Sequence, residues 1–247
     1  MPDLTTLTRR CLFAAAAMIV LGGPVSAQNN NIRVVHRFQV KPDRMADFRA
    51  ILREANAVLQ KEKFDRDSFW YESLTGPTEI VWVRYFKNFA DAGAANPISS
   101  HPAIVALSTR LGTCVNSREI LVDEILPELS VFPAGDISPM VAVLTARVQP
   151  GKEKDYEALI RSEVVPAMKK SGAPAYLFSR RRMGGPSGTY TSVRLMKGWG
   201  ELDGASEVRK AMGEAAFQKF ADKRSGMIVE SEMTLYRALP DASYRPK

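Results

Sequence analysis

The sequence predicts an α+β protein made of two similar halves, each with the element order β-α-β-β-α-β. Two observations lead to this prediction. Segments of the first half recur in the same order in the second, and apolar residues follow strand spacing and helix spacing in the same succession in both. With 45% hydrophobic and 25% charged residues among 247, the chain also has the composition of an ordinary folded protein.

The internal repeat consists of three pairs of segments in one order along the chain. The pairs are residues 40–53 with 148–161, 76–77 with 185–186, and 83–89 with 193–199. Chance similarity explains one such pair but not three in succession, so the pattern indicates a tandem duplication. The predicted domains are a first half over residues 28–132, a linker over 133–138 and a second half over 139–247.

The first half begins with alternating apolar and polar residues, the period of a strand, and continues with apolar residues every three or four positions, the period of a helix. A Gly-Pro pair then marks a hairpin, and Pro102 suits the first turn of a second helix. The predicted elements are a strand at 32–40, a helix from 42 to 59, strands at 69–73 and 79–86, a helix from 100 to 111 and a strand at 118–126.

The second half repeats this order. The predicted elements are a strand at 140–148, a helix at 152–170, strands at 175–181 and 189–196, a helix at 206–223 and a strand at 227–238. Pro166 lies inside the first of these helices and is expected to kink it.

This element order is that of the ferredoxin-like arrangement, a four-stranded antiparallel sheet with both helices on one face. One half alone would leave the other, apolar face of its sheet uncovered. Two halves that pack these faces together cover both. The predicted architecture is therefore two tandem ferredoxin-like halves packed sheet to sheet.

The first 27 residues have the features of a cleaved signal peptide. Arg9 and Arg10 precede an apolar run over residues 11–21, and residues 25–27 (VSA) form a cleavage site with small side chains. Residues 8–13 (TRRCLF) also resemble a twin-arginine export signal, and the general secretory route stays open beside it. We expect a periplasmic or secreted protein with no stable membrane anchor after cleavage.

Composition excludes several classes of function. The net charge of +7 is scattered rather than clustered, so no nucleic-acid partner is predicted. Two cysteines and two histidines exclude a disulfide scaffold and argue against a zinc site, and no Walker A or glycine-rich dinucleotide motif is present. The sequence thus predicts neither a metal nor any other cofactor.

Residues 148–156 (VQPGKEKDY) join the end of a strand to a helix with an aromatic residue in its first turns. This segment resembles the dimeric α/β-barrel superfamily, which includes antibiotic-biosynthesis-type monooxygenases and NIPSNAP-like proteins. The first-half copy departs from the pattern at Asp43, where the family often has Gly. Because these residues set a turn and helix packing, the resemblance implies a fold, an intramolecular dimeric α/β barrel, rather than a chemistry. It also implies that a ligand sits between a sheet and its helices.

Two residues are candidate catalytic groups. His36 lies on an apolar strand face, where its imidazole serves either as a general base or as a hydrogen-bonded core residue. Arg84 shares a predicted strand face with Trp82, so it either binds an anion in an aromatic pocket or packs its stem and extends its head to water. His101, before Pro102, is expected to cap a helix or to be exposed.

Aromatic and basic residues of the predicted hairpins are candidate ligand-binding groups. They are Trp82, Tyr71, Tyr190 and Arg194. Aromatic residues in strands are also common core residues, so both readings stay open. The basic run at residues 180–182 is expected to form a solvated hairpin tip, with an acidic ligand or a lipid headgroup as the alternative partner.

Two classes of function follow for an exported protein with a small-molecule ligand. The first is a cofactor-independent monooxygenase- or isomerase-like enzyme, with His36 as base and Arg84 stabilising an anion. The second is a non-catalytic periplasmic binding or assembly module. Haem binding is a third, less favoured hypothesis. A second chain is not required to close the predicted barrel, although oligomerisation stays open.

Overall fold

The computed structural model describes residues 30–94, 97–132, 138–172 and 175–246. The predicted signal peptide and most of the predicted linker lie outside these residues. Among the described helices, none is both long and apolar enough to cross a membrane.

Eight antiparallel strands form a closed barrel. They are β1 (Ile32–Val40), β2 (Phe69–Ser73), β3 (Ile80–Phe86), β4 (Val115–Ile125), β5 (Met140–Val148), β6 (Tyr176–Met183), β7 (Thr189–Met196) and β8 (Ile228–Ala238). Their order around the barrel is β1-β3-β2-β8-β5-β7-β6-β4. Residues 32–125 thus supply one run of four neighbouring strands and residues 140–238 the other, and the pairings β2–β8 and β4–β6 close the ring.

The helices pack on the outside of the barrel. They are α1 (Met45–Lys61), α2 (Phe89–Gly93), α3 (Pro102–Thr113), α4 (Glu153–Leu159), α5 (Val165–Ser171), α6 (Glu207–Met212) and α7 (Glu214–Ser225). Alternation along each strand separates two apolar cores, because successive side chains point to opposite faces. Outward residues such as Phe38 and Phe178 pack against the helices, whereas Val81 and Val141 face the barrel interior.

Two predicted helices differ from the structure for identifiable reasons. The helix expected at 152–170 is interrupted by a π-helical turn, Ile160–Val164, directly before α5. Pro166 has no N–H to donate and its ring crowds the carbonyl of residue 162, which the wider turn relieves. The helix expected at 206–223 divides into α6 and α7 at Gly213, whose φ of 81° no helix interior accommodates.

Candidate functional site

The inward faces of the strands enclose a cavity of about 300 Å³ inside the barrel. An eight-stranded barrel is ordinarily just wide enough for its own side chains to fill it. Here many inward positions carry short β-branched residues, which leave the centre open. They include Val35, Val81, Val83, Val141, Val143, Val193, Thr145 and Thr191. The space is about twice the roughly 150 Å³ that accommodates benzene in an apolar protein cavity.

A cluster of three charged side chains forms part of the cavity wall. Asp123, only 1% exposed, accepts a hydrogen bond from Arg33 Nη2 at 2.6 Å and another from Arg181 Nε. Arg33 Nη2 also donates to the Ser179 hydroxyl at 2.9 Å. Burial alone would raise the pKa of Asp123, but the two guanidinium groups hold it below its usual value, so this carboxylate is ionised. We call Arg33, Asp123 and Arg181 the inner cluster.

The inner cluster contains more hydrogen-bond donors than acceptors. Among the described residues, Arg33 Nε and Nη1 have no partner, and neither do Nη1 and Nη2 of Arg181. The hydroxyl of Thr191, which also lines the cavity, is buried and unpartnered. Buried polar groups in folded proteins are nearly always hydrogen-bonded. Arg33 Nε and the Thr191 hydroxyl are therefore candidate donors to a molecule bound in the cavity.

Two tyrosines add further donors to the wall. Tyr85 lies opposite Arg33 in the β1–β3 register, and Tyr71 lines the same cavity. Burial raises the pKa of both hydroxyl groups, so both are protonated at neutral pH. Neither hydroxyl makes a hydrogen bond to another described residue, and both can donate to a bound molecule.

Two exposed ion pairs mark the rim of the cavity. Arg37 Nη1 lies 3.2 Å from Glu119, and Arg147 Nη2 lies 3.4 Å from Glu230. The two carboxylate side chains are 52% and 72% exposed, so the cavity reaches solvent here. Deeper in the wall, Arg37 also binds the buried Glu79, to which the Tyr236 hydroxyl donates.

Three of the six residues predicted from the sequence lie together, but outside the barrel cavity. His36, Trp82 and Arg84, here called the outer group, project from β1 and β3 to the outer, helix-bearing face of the barrel. The rings of His36 and Trp82 are 4.9 Å apart, and the Arg84 guanidinium lies 5.1 Å from the Trp82 ring centroid. Trp82 Nε1 donates to the Ser68 hydroxyl at 2.8 Å.

The surroundings of His36 keep its imidazole neutral. Burial, followed by the charges of Arg118 and Arg84, lowers the pKa of His36 to about 3. Nδ1 accepts a hydrogen bond from Arg118 Nε at 3.2 Å, so the proton of the neutral ring lies on Nε2. Burial, with a smaller effect of Arg66, also lowers the pKa of Arg84 to about 10, which leaves it charged at neutral pH.

The other three predicted residues lie apart from the outer group. Tyr71 lines the barrel cavity. Tyr190 lies on the outer face of the second half, where its hydroxyl donates to Glu157 at 2.7 Å. Arg194 lies on that same outer face, with Nη2 3.6 Å from the Met196 sulfur. His101 caps α3, as one alternative expected, because its Nδ1 accepts from the backbone N–H of Ala103.

Sequence reasoning missed the inner cluster. Residues 180–182 were expected to be a solvated hairpin tip, yet Arg181 is 9% exposed and binds Asp123. Its neighbours Arg180 and Arg182 reach Glu124 on the other side of the wall. Strand alternation could have revealed it, because successive side chains of a strand point to opposite faces and Arg181 therefore points away from the face of Arg180 and Arg182.

Comparison with known proteins identifies the fold. No protein-family model matches the sequence, and no curated protein matches it. A "putative monooxygenase" from Lactobacillus acidophilus NCFM superposes with a TM-score of 0.62 over 88% of this chain and 97% of that one, at 5% identity. One of the same name from Fusobacterium nucleatum subsp. nucleatum ATCC 25586 gives 0.61 over 85% and 93%, at 12% identity.

An anthrone oxidase-like protein also superposes, with a TM-score of 0.58 over 88% of this chain and 94% of that one, at 12% identity. At such low identities these likenesses show a shared fold and nothing of chemistry. The mixed α+β fold with its closed eight-stranded barrel is therefore one that this chain shares with these proteins.

Proposed function

We propose that this chain is an exported small-molecule-binding protein of the dimeric α/β-barrel superfamily, and that its ligand occupies the barrel cavity. One observation carries the proposal: the barrel cavity, lined largely by apolar side chains, contains donors that no described residue accepts, and two of these groups, Arg33 Nε and the Thr191 hydroxyl, are buried. Ligand sites typically combine an apolar lining with a few such polar groups. The expected site between a sheet and its helices is less favourable, because Arg118 occupies Nδ1 of His36 there and Ser68 accepts the Trp82 N–H.

The proposal includes an origin of the barrel from two tandem ferredoxin-like halves, at residues 28–132 and 139–247. Three observations support it. The repeated segments of the sequence fall in equivalent elements, each half supplies four neighbouring strands, and a β-bulge interrupts the pairing at Gln39/Val40 and again at Arg147/Val148. In this arrangement one chain closes the barrel without a second.

Export is proposed from residues 1–27. The mature protein then begins at Gln28, in the periplasm or outside the cell. Mass measurement of the protein recovered from the periplasm tests this directly. An intact chain retaining Met1 in the cytoplasm would contradict it, and substitution of Arg9 and Arg10 by lysine would distinguish the twin-arginine route from the general one.

Filling the cavity tests the proposed binding site. Val143→Phe places a larger apolar side chain in the cavity, whereas Met233→Phe places the same ring on an exposed outer position of β8. Native mass spectrometry of the protein from its own host is expected to show an extra mass on the wild type and on Met233→Phe, and none on Val143→Phe. Retention of the ligand by Val143→Phe would place the site elsewhere.

A second candidate is a cofactor-independent monooxygenase- or isomerase-like enzyme, and two structural neighbours carry the name putative monooxygenase. The observation that favours it is the position of the free Tyr85 hydroxyl near Arg33, since such donors would stabilise negative charge that develops on a substrate. His36 fits the role of base poorly while Arg118 occupies its Nδ1. Conversion of the bound molecule by the wild type, with loss in Arg33→Gln and full activity in His36→Ala, is the expected pattern.

If the protein does not convert the identified ligand, the remaining proposal is a non-catalytic periplasmic binding or assembly module. Haem binding remains the third proposal. It predicts a Soret band when haem is added to the purified protein, and a spectrum without that band would exclude it.

A further inference from the structure

We infer that the ligand of the barrel cavity is a monoanion, a one- or two-ring carboxylate, whose oxygen atoms bind Arg33 and Arg181. This inference rests on the proposed function, because it takes the barrel cavity as the binding site. It adds the chemical class of the ligand and the two residues that recognise it.

The charge of the inner cluster is the first argument. One carboxylate, Asp123, lies between two guanidinium groups, and the side chains of Arg33 and Arg181 are only 5% and 9% exposed. The cluster therefore carries one positive charge in excess. A buried charge without a counterion is costly, and one bound anion would neutralise this excess.

Other acidic residues of the cavity do not supply that counterion. Glu119 and Glu230 are on the exposed rim, where Arg37 and Arg147 already pair with them. Glu232 is also exposed. The cavity lining as a whole thus contains as many arginines as acidic residues. Its buried charged residues, however, carry a net positive charge.

The free donors of the two arginines are the second argument. Arg181 donates to Asp123 through Nε, which leaves the edge formed by Nη1 and Nη2, an edge that can donate two parallel hydrogen bonds to one carboxylate. Arg33 Nε is buried and has no partner among the described residues. Arg181 Nη1 lies close to the backbone at Gly185. A Cβ added at that position would lie 2.9 Å from Nη1, so a larger residue would crowd this edge.

The rest of the cavity determines the size and the apolar character of the remaining part of the ligand. Beyond the inner cluster its walls are mainly valine, leucine, tyrosine and threonine side chains, with charged side chains at the rim, and its volume is about 300 Å³. A flat apolar body of one or two rings fills that space, while Tyr71 and Tyr85 can donate to a further oxygen. Small inorganic anions would leave the apolar walls without contacts.

The test compares an acid with a neutral molecule of the same shape. Calorimetric titration of the wild-type protein with 2-naphthoate and with 2-naphthalenemethanol is expected to show binding of the acid that is about tenfold tighter or more, the usual effect of charge-assisted hydrogen bonds. Arg181→Gln should lose this preference. Arg182→Gln, which removes the same charge from the opposite face, should keep it.

The outcomes separate the inference from the proposed function. Equal binding of acid and alcohol, with both lost in Val143→Phe, would refute the anion inference and leave the cavity as the binding site. No binding of either molecule at millimolar concentration, or binding that Val143→Phe leaves intact, would refute both. If Arg181→Gln fails to fold, the comparison of acid with alcohol on the wild-type protein still tests whether the cavity prefers an anion.

Discussion

The two faces of the β1–β3 wall carry similar residues with opposite consequences. On the outer face, His36 accepts from Arg118, Arg84 lies over the rings of Trp82 and Phe86, and Trp82 donates to a serine. On the inner face, Arg33 and Tyr85 have donors that no described residue accepts. The rings of the outer group pack against one another, whereas the inner cluster borders a cavity of about 300 Å³. Chemically capable residues are therefore a weaker indication of a site than free donors that face open space.

The largest expected effect is that of Asp123→Asn on the inner face. The substitution leaves two buried guanidinium groups without their shared carboxylate, which should cost about 3–5 kcal/mol of unfolding free energy. Urea denaturation measures it. Glu119→Gln serves as the control, because it removes an exposed carboxylate of the same wall and should cost less than about 1 kcal/mol. A small effect of Asp123→Asn would mean that the inner cluster is not built around this carboxylate.

The next effect concerns the outer face and pH. The folded-state pKa of His36 is about 3, below the ordinary 6.5, so below pH 6.5 the unfolded chain binds a proton that the folded protein does not. Stability is fully present above pH 6.5 and is lost as pH falls toward 3. Between pH 7.5 and 5 this loss is about 2 kcal/mol.

His36→Leu should abolish that part of the pH dependence, because leucine does not titrate and also occupies position 144, the corresponding place in β5. Unfolding free energies of both proteins at the two pH values provide the measurement. Identical slopes for the wild type and the variant would show that His36 is protonated in the folded state after all.

The smallest effects distinguish partnered from free hydroxyl groups. Tyr236→Phe removes the bond to buried Glu79 and should cost about 1–3 kcal/mol. Tyr85→Phe breaks no bond within the described residues, so stability should change by less than about 0.5 kcal/mol. Thermal unfolding and ligand titration of the two variants check this, with weaker ligand binding expected in Tyr85→Phe. A destabilised Tyr85→Phe protein would reveal a structural partner for that hydroxyl.

The sequence was sufficient to predict the order of strands and helices and the first and last residues of most strands. Periodicity established that His36 and Phe38 share one face of β1, because alternation is a local property. It could not establish which face meets helices and which meets the barrel interior. Trp82 and Arg84 therefore seemed to be pocket residues, although the cavity lies on the other side of their strand.

The inner cluster was beyond sequence reasoning for a related cause. Arg33 and Asp123 are 90 positions apart, and Arg33 and Ser179 are 146 apart. The β1–β4 pairing places Arg33 opposite Asp123, but only the β4–β6 pairing, which closes the ring, adds Ser179 and Arg181 to them. The hollow centre likewise depends on the joint effect of short side chains from several strands, which no single segment reveals.

The most direct test of the binding site is a crystal structure with 6-bromo-2-naphthoate, whose bromine can be located by anomalous scattering. We expect bromine inside the barrel, with the carboxylate about 3 Å from nitrogen atoms of Arg33 and Arg181. Bromine between the sheet and the helices, beside His36, Trp82 and Arg84, would contradict it and restore the outer group as the site.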